Sequence, residues 1–357
     1  MRKITIGLVG TGTIANIMHL PGIKTMVDNG KAELVAVCDV FAEKAKEAAE
    51  KFGARTSYGD LDKMLAEGDF ELLVNNTPIP QHFAVSTKAL KAGRHVYTQK
   101  PMTTGVDEAT ELIATAKQAG KILASAPEHP VRPMIRTIHD MIREGAIGKV
   151  TFARVISSHD GPEKHDVPRD STWFYKPGSN PILDLGVHGL SQITAIVGPV
   201  RRVTCVSGRT QDVRITTKGP FAGKRIDVEI DDNSLLTLDF GDARFAYLDA
   251  TYCVPASLSP RMEIHGTEGT LTVVARPDAP RESDLRLYRT ATDSWEAVDV
   301  PPTPPVRDLG VLHVVEVLRE GKPLILTAER GRHLVEVLAK APEAAAQGRT
   351  LDVETTF

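Results

Sequence analysis

The sequence predicts an α/β protein with two domains: residues 1–126 form a doubly wound parallel sheet, and residues 127–357 form an α/β domain with a large, mostly antiparallel open sheet. Two observations carry this prediction. Short apolar runs alternate with helix patterns up to residue 126, whereas strand patterns follow one another directly in much of the remainder. A chain of 357 residues also exceeds the length that one hydrophobic core usually supports.

The N-terminal strands are short and are mostly bounded by turn residues. The helix candidates between them are rich in strong helix formers and end at Gly53, Gly93 and Gly120, which are good helix caps. Because helices separate the strands, we expect right-handed crossovers and parallel strands. The predicted strands are residues 4–9, 33–38, 70–75, 94–98 and 121–126, and the predicted helices are residues 41–53, 81–93 and 107–120.

The pattern changes after Pro127. Helix patterns over 133–145 and from about 183 to 197 flank a strand pattern and a polar, proline-bearing stretch over 159–181. Several strand patterns between 201 and 290 then predict a mostly antiparallel sheet with one face exposed or covered by a partner. The glycine pair in HGTEGTL (265–271) is interpreted as a hairpin turn, PPTPP (301–305) as a loop, and 327–345 as a closing helix.

Composition excludes several classes of protein. The 43 basic and 46 acidic residues give a net charge of -3, so there is no electrostatic footprint for nucleic acid or an anionic membrane. No apolar stretch approaches the roughly 18 residues of a membrane span. The start MRKITIGLVG is a poor signal peptide because its apolar run ends in a glycine turn. Three cysteines without CxxC spacing argue against disulfides and structural zinc, which favours a cytoplasmic location.

A glycine-rich turn joins the first predicted strand to the first helix. In VGTGTIA (9–15), Gly10 permits the tight turn, Gly12 lets a pyrophosphate approach the backbone, and Ala15 lets helix and strand pack closely. Thr13 and Ile14 lie in the same turn. With a strand before it and a helix N-terminus after it, this turn predicts a dinucleotide-binding Rossmann domain.

Asp39 ends the second predicted strand. A carboxylate there can accept hydrogen bonds from the adenosine ribose hydroxyls and would repel a 2'-phosphate, so it favours NAD over NADP. The spacing from Gly12 exceeds the usual value of about 20 residues, and an extended first helix accounts for the difference. The alternative interpretation is a structural turn with a surface aspartate.

Lys100 is the first candidate for chemistry. It ends the fifth predicted strand, and ligands of open parallel sheets bind beyond the carboxyl ends of strands. Pro101 holds the lysine backbone in an extended conformation. The alternative is an ordinary solvated loop lysine.

A second candidate lies in PILDLGVHGLSQI (181–193). If a helix begins near Leu183, Asp184 and His188 lie one turn apart on one face, and the carboxylate can orient the imidazole. Gly186 and Gly189 flank the histidine at a cost of about 1 kcal/mol each in a helix, which suggests close approach by a ligand. The alternative is a capping aspartate and a buried histidine.

Several segments, in order along most of the chain, resemble the Gfo/Idh/MocA family of glucose-fructose oxidoreductase and inositol dehydrogenase. The resemblance implies an NAD(P)-dependent oxidoreductase of sugars, inositols or polyols. It also implies a second domain whose open sheet mediates assembly, and hence a homodimer or homotetramer. The segments are GTGTIA (10–15), Asp39, NTPIPQHF (76–83), KAGRHVYTQKP (91–101), IREGAIGKV (142–150), DLGVH (184–188) and MEIHGTEGTL (262–271).

The resemblance also implies roles for individual residues. Lys100 matches the catalytic lysine of the family's Glu-Lys-Pro motif, and Asp184 and His188 match its second-domain Asp and His. Gln99 stands where the motif has glutamate, which removes a negative charge beside the lysine. The segment that passes the nicotinamide ribose is matched by Thr77, Pro78 and His82. With Gln99 and Lys100, these residues are expected to contact the cofactor.

Substrate contacts are expected from two polar segments, residues 126–133 and 159–175. Aromatic faces stack on sugar rings, and polar groups hold hydroxyls. The alternative is that these are ordinary surface loops. The candidates are Glu128, His129, Arg132, His159, His165, Trp173 and Tyr175.

The hypothesis is hydride transfer between NAD and a hydroxyl-bearing carbon of a sugar or polyol. His188 would act as general base, Asp184 would fix its tautomer, and Lys100 would donate a hydrogen bond to the developing alkoxide. The alternative is that Lys100 shares the proton with His188. Three alternatives stay open: transient use of NAD in a redox-neutral reaction, a non-catalytic NAD-binding regulator, and a metal enzyme. No metal is predicted, because the histidines and aspartate that would supply ligands lack fixed spacing; they are His159, His165, Asp166 and His188.

Overall fold

The computed structural model describes residues 2–166, 169–275 and 283–357. Contacts divide the chain into two compact units. The first contains Met1–Arg132, Thr303–Val335 and Phe357, and the second contains Pro133–Pro302 and Glu336–Thr356. Residues 303–335 therefore pack with the N-terminal sheet, although the sequence division into 1–126 and 127–357 groups them with the substrate domain. That functional division stays a prediction.

The first unit is built on a six-stranded sheet in the order β3-β2-β1-β4-β5-β6, and every pair of neighbouring strands is parallel. The predicted doubly wound parallel sheet is therefore confirmed. The short strand β3 was not predicted from the sequence. The strands are β1 (Ile4–Val9), β2 (Ala32–Cys38), β3 (Thr56–Tyr58), β4 (Leu72–Asn75), β5 (His95–Thr98) and β6 (Leu123–Ser125).

Helices connect and cover the strands, and their ends follow the expected capping chemistry. Gly53 and Gly120 cap their helices in the left-handed conformation, at φ 77° and 63°. The helices are α1 (Leu20–Asp28), α2 (Ala42–Phe52), α3 (Leu61–Glu67), α4 (His82–Lys91), α5 (Val106–Ala119), α6 (Pro133–Arg143), α7 (Val187–Val197), α8 (Leu309–Glu320) and α9 (Ala328–Gln347).

Helix α8 is an addition to the first unit that the sequence analysis did not predict. It packs against β1 and β5. Its buried side chains, among them Val311, Val314 and Val315, share one hydrophobic cluster with Ile6 and Leu8 of β1. Burial of this apolar face explains why a segment more than 170 residues beyond β6 returns to the nucleotide-binding sheet.

The second unit contains a nine-stranded sheet in the order β16-β15-β14-β13-β7-β12-β11-β8-β17. Among the described strands of this sheet, β7 and β12 pair in parallel and the other neighbouring pairs are antiparallel, so the predicted mostly antiparallel sheet is confirmed. Its strands, with the β9–β10 hairpin, are β7 (Val150–Ile156), β8 (Arg202–Gly208), β9 (Val213–Ile215), β10 (Arg225–Asp227), β11 (Asn233–Asp239), β12 (Phe245–Thr251), β13 (Met262–Gly266), β14 (Gly269–Ala275), β15 (Ser283–Arg289), β16 (Ser294–Val298) and β17 (Leu351–Asp352).

The two faces of this second sheet differ. Helix α7 packs on β7 and β12 on one face. Alternate residues of β8, β11 and β12 on the other face leave apolar side chains exposed, including Val206 at 64%, Leu235 at 38% and Phe245 at 44%. The interpretation of HGTEGTL as a hairpin is confirmed, because β13 and β14 pair in antiparallel register with Ile264 opposite Leu271. Within the described ranges, no helix has both the length and the apolar character needed to cross a bilayer.

Candidate active site

The glycine turn after β1 has the geometry that a dinucleotide site requires. Gly10 has φ +87°, and a Cβ there would lie 2.6 Å from the backbone oxygen of Asn76, so only glycine fits. Gly12 is the opposite case, because a Cβ at this position would meet nothing within 4 Å. The space in front of its backbone is thus open. Ala15 is fully buried, whereas Thr13 and Ile14 are exposed beside it.

The first helix begins with a π-helical turn, Ala15–His19, which runs directly into α1. The Asn16 side chain donates to the backbone oxygens of Thr11 (2.7 Å) and Gly12 (3.1 Å) and so braces the glycine turn. The predicted extension of the first helix is confirmed, and it accounts for the long spacing between Gly12 and Asp39. Short π-helical turns of this kind are frequent at functional sites.

The carboxylate of Asp39 is held rigidly beside the turn. Its Oδ2 accepts the backbone N–H of Thr11 at 2.8 Å and the Thr11 hydroxyl at 3.0 Å, and its Oδ1 accepts the backbone N–H of Phe41 at 3.0 Å. These three hydrogen bonds hold the carboxylate in one orientation. The negative charge at the end of β2 therefore keeps a defined position.

Asn76, directly after β4, was missed by the sequence analysis. Both polar atoms of its carboxamide are buried, and among the residues that the structure describes neither has a hydrogen-bond partner. An unsatisfied buried polar group costs about 1–3 kcal/mol, so this amide indicates a missing polar ligand. With the open space at Gly12 and the fixed carboxylate of Asp39, the residues present fit a dinucleotide. The sequence signal that could have identified Asn76 is its position at the start of the NTPIPQHF segment.

His82 joins the two loops that follow β4 and β5. Its side chain is buried, and its ring nitrogens lie 2.8 Å from the backbone oxygens of Thr77 and Pro101. Burial lowers the pKa of His82, and the two carbonyl contacts oppose that shift. Thr77 is fixed in turn, because its hydroxyl donates to Asn75 Oδ1 at 2.7 Å. A direct contact of Thr77, Pro78 or His82 with the cofactor stays a prediction.

Lys100 lies in the loop directly after β5. Its backbone N–H donates to Oε1 of Gln99 at 3.1 Å, and the Gln99 amide nitrogen lies 2.6 Å from Nε2 of His19. Burial, followed by the positive charges of Arg132 and Lys100, lowers the pKa of His129 to about 3. The positive charge of Lys100 therefore acts electrostatically on His129 in the 128–132 segment, and His129 is uncharged at neutral pH.

Glu128 and Arg132 form an ion pair in the same segment. The guanidinium donates to Glu128 Oε1 at 2.6 Å, and Glu128 Oε2 accepts the backbone N–H of Gly310 at 3.0 Å. Burial raises the pKa of Glu128, and Arg132 opposes the shift. Glu128 is thus committed to contacts inside the first unit, whereas nearly half of the Arg132 side chain is exposed. A substrate contact by either residue stays a prediction.

In the second unit, Asp184 lies in a π-helical turn, Ile182–Gly186, that leads into α7. The helical segment therefore begins one residue before the predicted Leu183. Asp184 Oδ2 accepts the hydroxyl of Tyr252 at 3.1 Å, and the Tyr252 ring stacks on His159 with centroids 5.4 Å apart. His188 is the second residue of α7 and is partly exposed. Asp184, Tyr252 and His159 form one polar cluster.

The prediction that Gly186 and Gly189 allow close approach by a ligand is wrong. A Cβ at Gly189 would lie 2.4 Å from Leu248 Cδ1, and one at Gly186 would lie 3.2 Å from the Ala250 Cβ. Both contacts are with β12 of the underlying sheet. The glycines therefore permit close packing of helix on sheet.

His159 and His165 are neighbours at the start of the polar stretch, with ring centroids 4.8 Å apart. Potential metal-ligand atoms of His159, Asp160 and His165 all lie within 4.8 Å of one another. This group contains Asp160 rather than the Asp166 and His188 of the metal alternative. Moreover, His159 Nδ1 accepts the N–H of Gly161 at 2.9 Å, which leaves the proton on Nε2. A ligating histidine needs a free ring nitrogen without a proton, so this arrangement disfavours a metal.

The two aromatic candidates differ in exposure. Trp173 is 52% exposed and stacks on Phe174 with centroids 4.8 Å apart, so its outer face is available to a ligand. Tyr175 is fully buried, and its hydroxyl donates to Glu163. Arg214 bridges that carboxylate (3.1 Å) to Asp232 (2.7 Å). Burial, then the Glu163 hydrogen bond, raises the pKa of Tyr175. Tyr175 thus anchors its loop to the fold, and a substrate contact stays a prediction.

A parallel six-stranded sheet with a glycine turn, a fixed carboxylate after β2 and a lysine after β5 defines a dinucleotide-binding enzyme. Family models agree. One described as "Oxidoreductase family, NAD-binding Rossmann fold" matches residues 4–126, and one described as "GFO/IDH/MocA C-terminal domain" matches residues 135–272. The chain belongs to the GFO/IDH/MocA family of oxidoreductases.

Individual relatives are distant but extensive. The scyllo-inositol 2-dehydrogenase (NADP(+)) IolW of Bacillus subtilis is 24% identical over 98% of this chain and 96% of its own length. The D-glucoside 3-dehydrogenase of Escherichia coli is 28% identical over 55% of this chain and 54% of its own. A levoglucosan dehydrogenase structure, in complex with NADH and L-sorbose, superposes with a TM-score of 0.83 at 19% identity and covers 99% of this chain and all of that one.

Proposed function

We propose that the protein is an NAD-dependent dehydrogenase that transfers a hydride between NAD and a hydroxyl-bearing carbon of a sugar, inositol or related polyol. The observation that carries this proposal is Lys100 in the loop directly after β5, in the same sheet as the glycine turn. Relatives named inositol and glucoside dehydrogenases support the substrate class. Redox-neutral use of NAD and a regulatory role are less favoured, because the named relatives are dehydrogenases.

The choice of NAD over NADP rests on Asp39. Its carboxylate is fixed by three hydrogen bonds from Thr11 and Phe41, so it cannot turn away from a ribose without breaking them. A 2'-phosphate would bring further negative charge beside it. One relative is named as NADP-dependent, which makes the preference a specific property to test in this chain.

The chemistry assigned to this chain's own groups is proton transfer and charge stabilisation. NAD, when bound, supplies the hydride acceptor. His188 takes the proton of the substrate hydroxyl, Asp184 orients the imidazole, and Lys100 donates a hydrogen bond to the oxygen that becomes negative. The hydroxyl of Tyr252 supports Asp184, because it occupies Oδ2 at 3.1 Å and restricts rotation of the carboxylate. The exposed ring of Trp173 offers an apolar face for a sugar.

Self-association through the second sheet is part of the proposal, as a homodimer or homotetramer. The exposed apolar side chains of Val206, Leu235 and Phe245 on neighbouring strands form a surface that a partner would cover. Light scattering of the purified protein tests this, and a monomer at micromolar concentration would contradict it. A cytoplasmic location also stays a proposal, consistent with the free, buried thiols of Cys38 and Cys205.

The function is tested by screening sugars, inositols and sugar acids for production of NADH. The substrate found is then used with two variants, Lys100→Ala and His188→Ala. We expect each to lower turnover by about 10²- to 10⁴-fold with folding intact, because each removes a proton-transfer or charge-stabilising group. Two residues of the same types provide matched controls: the exposed Lys91, as Lys91→Ala at the end of α4, and the partly exposed His139, as His139→Ala in α6.

Three results would contradict the proposal in different ways. Turnover of the substrate without net NADH would indicate a redox-neutral reaction. Tight NAD binding without turnover of any compound would favour a regulator. Full activity of both alanine variants would remove Lys100 and His188 from the mechanism.

A further inference from the structure

Three polar side chains from distant parts of the first unit meet beside Lys100. His19 ends the π-helical turn, Gln99 follows β5, and Asp308 precedes α8. His19 Nδ1 lies 2.5 Å from Asp308 Oδ2, and His19 Nε2 lies 2.6 Å from Gln99 Nε2. The side chains of His19 and Asp308 are fully buried. We call these three residues the buried polar chain.

The hydrogen bonds of the buried polar chain have a fixed direction. Lys100 donates its backbone N–H to Gln99 Oε1 at 3.1 Å, so the amide nitrogen of Gln99 must face His19. An amide nitrogen only donates, and His19 Nε2 must therefore be the unprotonated, accepting nitrogen. The proton of the neutral ring is then on Nδ1 and is donated to Asp308. If the Gln99 amide were rotated by about 180°, its N–H₂ group would face the backbone N–H of Lys100, and two hydrogen-bond donors would meet.

The far end of the buried polar chain is anchored in the fold. Asp308 caps α8, because its Oδ1 accepts the backbone N–H of Val311 at 2.9 Å. A carboxylate at a helix N-terminus is favoured by the helix dipole. Gly22 of α1 makes room for it, since a Cβ there would lie 2.6 Å from the Asp308 Cβ. Both carboxylate oxygens are thus occupied, and the geometry is fixed from α8 to Lys100.

We propose that the buried polar chain positions Lys100 and supplies, through Asp308, the negative charge that the family motif places at residue 99. This inference rests on the proposed function of Lys100. In this proposal its three residues act through Lys100 and are therefore positioning residues, and the cofactor contact predicted for Gln99 is a separate prediction. The same residues explain why Gln99 is tolerated in place of glutamate.

A charge count supports this compensation. With Gln99 and a neutral His19, the only charge in the buried polar chain is the single negative charge of Asp308. A glutamate at position 99 would instead face His19 Nε2 with an acceptor, and the ring would need both protons, giving two carboxylates and one imidazolium. The net charge is one negative in both cases. Other ionisable groups near this site are Tyr97, whose ring contacts His19 edge-on, Glu128, and His129, which lies within the electrostatic influence of Lys100.

The most informative single variant is Asp308→Asn. An asparagine at 308 can still cap α8 with its oxygen, but it presents an N–H₂ donor to His19 Nδ1. The proton of His19 must then move to Nε2, where it meets the amide donor of Gln99. We expect turnover to fall about 10²-fold, the cost of an active group misplaced by about 1 Å, with NAD affinity changed by only a few fold.

The double variant Asp308→Asn with Gln99→Glu should restore activity. The asparagine donates to Nδ1, Nε2–H donates to the glutamate, and the second glutamate oxygen accepts the N–H of Lys100. Every donor and acceptor of the buried polar chain then has a partner. The direction of its hydrogen bonds is reversed, and the single negative charge is now on residue 99. A purely structural role does not predict recovery of turnover by a second substitution. Asp60→Asn is the matched control, because Asp60 caps α3 at the surface by accepting the N–H of Lys63 at 2.8 Å.

The protonation of His19 gives a readout that needs no substrate. Imidazole ¹⁵N NMR of the purified full chain should show the His19 proton on Nδ1 in wild type, on Nε2 in the double variant, and on both nitrogens in Gln99→Glu. The proposal is overturned by a wild-type proton on Nε2, by wild-type turnover of Asp308→Asn, or by a double variant that folds without regaining turnover. If no polyol is oxidised, the proposed function fails, while the NMR result still decides the direction of the buried polar chain.

Discussion

Replacement of Asp39 by alanine should weaken the discrimination between NAD and NADP. The carboxylate stands at the end of β2, where its two oxygens accept three hydrogen bonds from Thr11 and Phe41. Its charge is therefore fixed where a dinucleotide fold places the adenosine ribose. Alanine removes the repulsion toward a 2'-phosphate and also the acceptors for the ribose hydroxyls.

The size of the effect follows from Coulomb's law. Two unit charges about 4 Å apart repel by about 1 kcal/mol in water and by about 4 kcal/mol at an effective dielectric constant of about 20. Asp39 is partly buried, so we expect a value between these limits. A factor of ten corresponds to about 1.4 kcal/mol, so Asp39→Ala should decrease the ratio of kcat/KM for NAD to kcat/KM for NADP by a factor of between about 5 and about 700.

The assay is kcat/KM for each cofactor at a fixed ionic strength of about 0.15 M, with the substrate from the screen. Glu33→Gln is the matched control, because it removes a negative charge from the other end of the same strand, where Glu33 pairs with Arg55. Glu33 and Asp39 are six residue steps apart, which is about 20 Å at about 3.3 Å per residue and beyond the range of effective interaction in salt. An unchanged cofactor ratio in Asp39→Ala, or a wild type that prefers NADP, would refute this reasoning.

Two further predictions concern stability. Arg214→Leu leaves two buried carboxylates without their cation, so it should lower the free energy of unfolding by about 3–5 kcal/mol. Arg225→Leu, which removes an exposed ion pair, should change this free energy little. A loss below about 1 kcal/mol for Arg214→Leu in urea unfolding would contradict the prediction. Burial and nearby cations lower the pKa of His129 to about 3, below its value of about 6.5 in the unfolded chain. Between about pH 6.5 and pH 3 the unfolded state therefore binds more protons than the folded state, so the free energy of unfolding should decrease as the pH is lowered through this range. His129→Asn should flatten the fall in unfolding midpoint between pH 7 and pH 5, while His139→Asn should not, and equal slopes would count against it.

Much of the first unit was predictable because its signals are local. The alternation of strands and helices, the glycine turn and Asp39 all follow from neighbouring residues, and each lies where the sequence placed it. Helix α8 was missed, although its caps Asp308 and Gly321 are ordinary start and stop signals. The missed helix hid the contact between His19 and Asp308, which are 289 residues apart in sequence. No local pattern in one sequence reveals such a pair.

The second unit shows where local interpretation fails for a physical reason. The glycines around His188 correctly indicated a close approach, but a sequence does not reveal what approaches, and here it is β12. Tyr175 lies in a polar loop typical of substrate contacts. Its hydroxyl donates to Glu163, whose other partner is Arg214 on a strand that begins nearly 40 positions later. Tertiary partners therefore decided the environment of both candidates.

Hydride transfer from the substrate carbon to the nicotinamide can be followed with an isotope label. The polyol found in the screen is prepared with deuterium on the carbon that bears the reacting hydroxyl, and the cofactor is recovered after turnover for mass spectrometry and NMR. The account predicts one deuterium on C4 of the reduced nicotinamide for each molecule of ketone formed. Product without labelled NADH, or deuterium retained in a redox-neutral product, would contradict it.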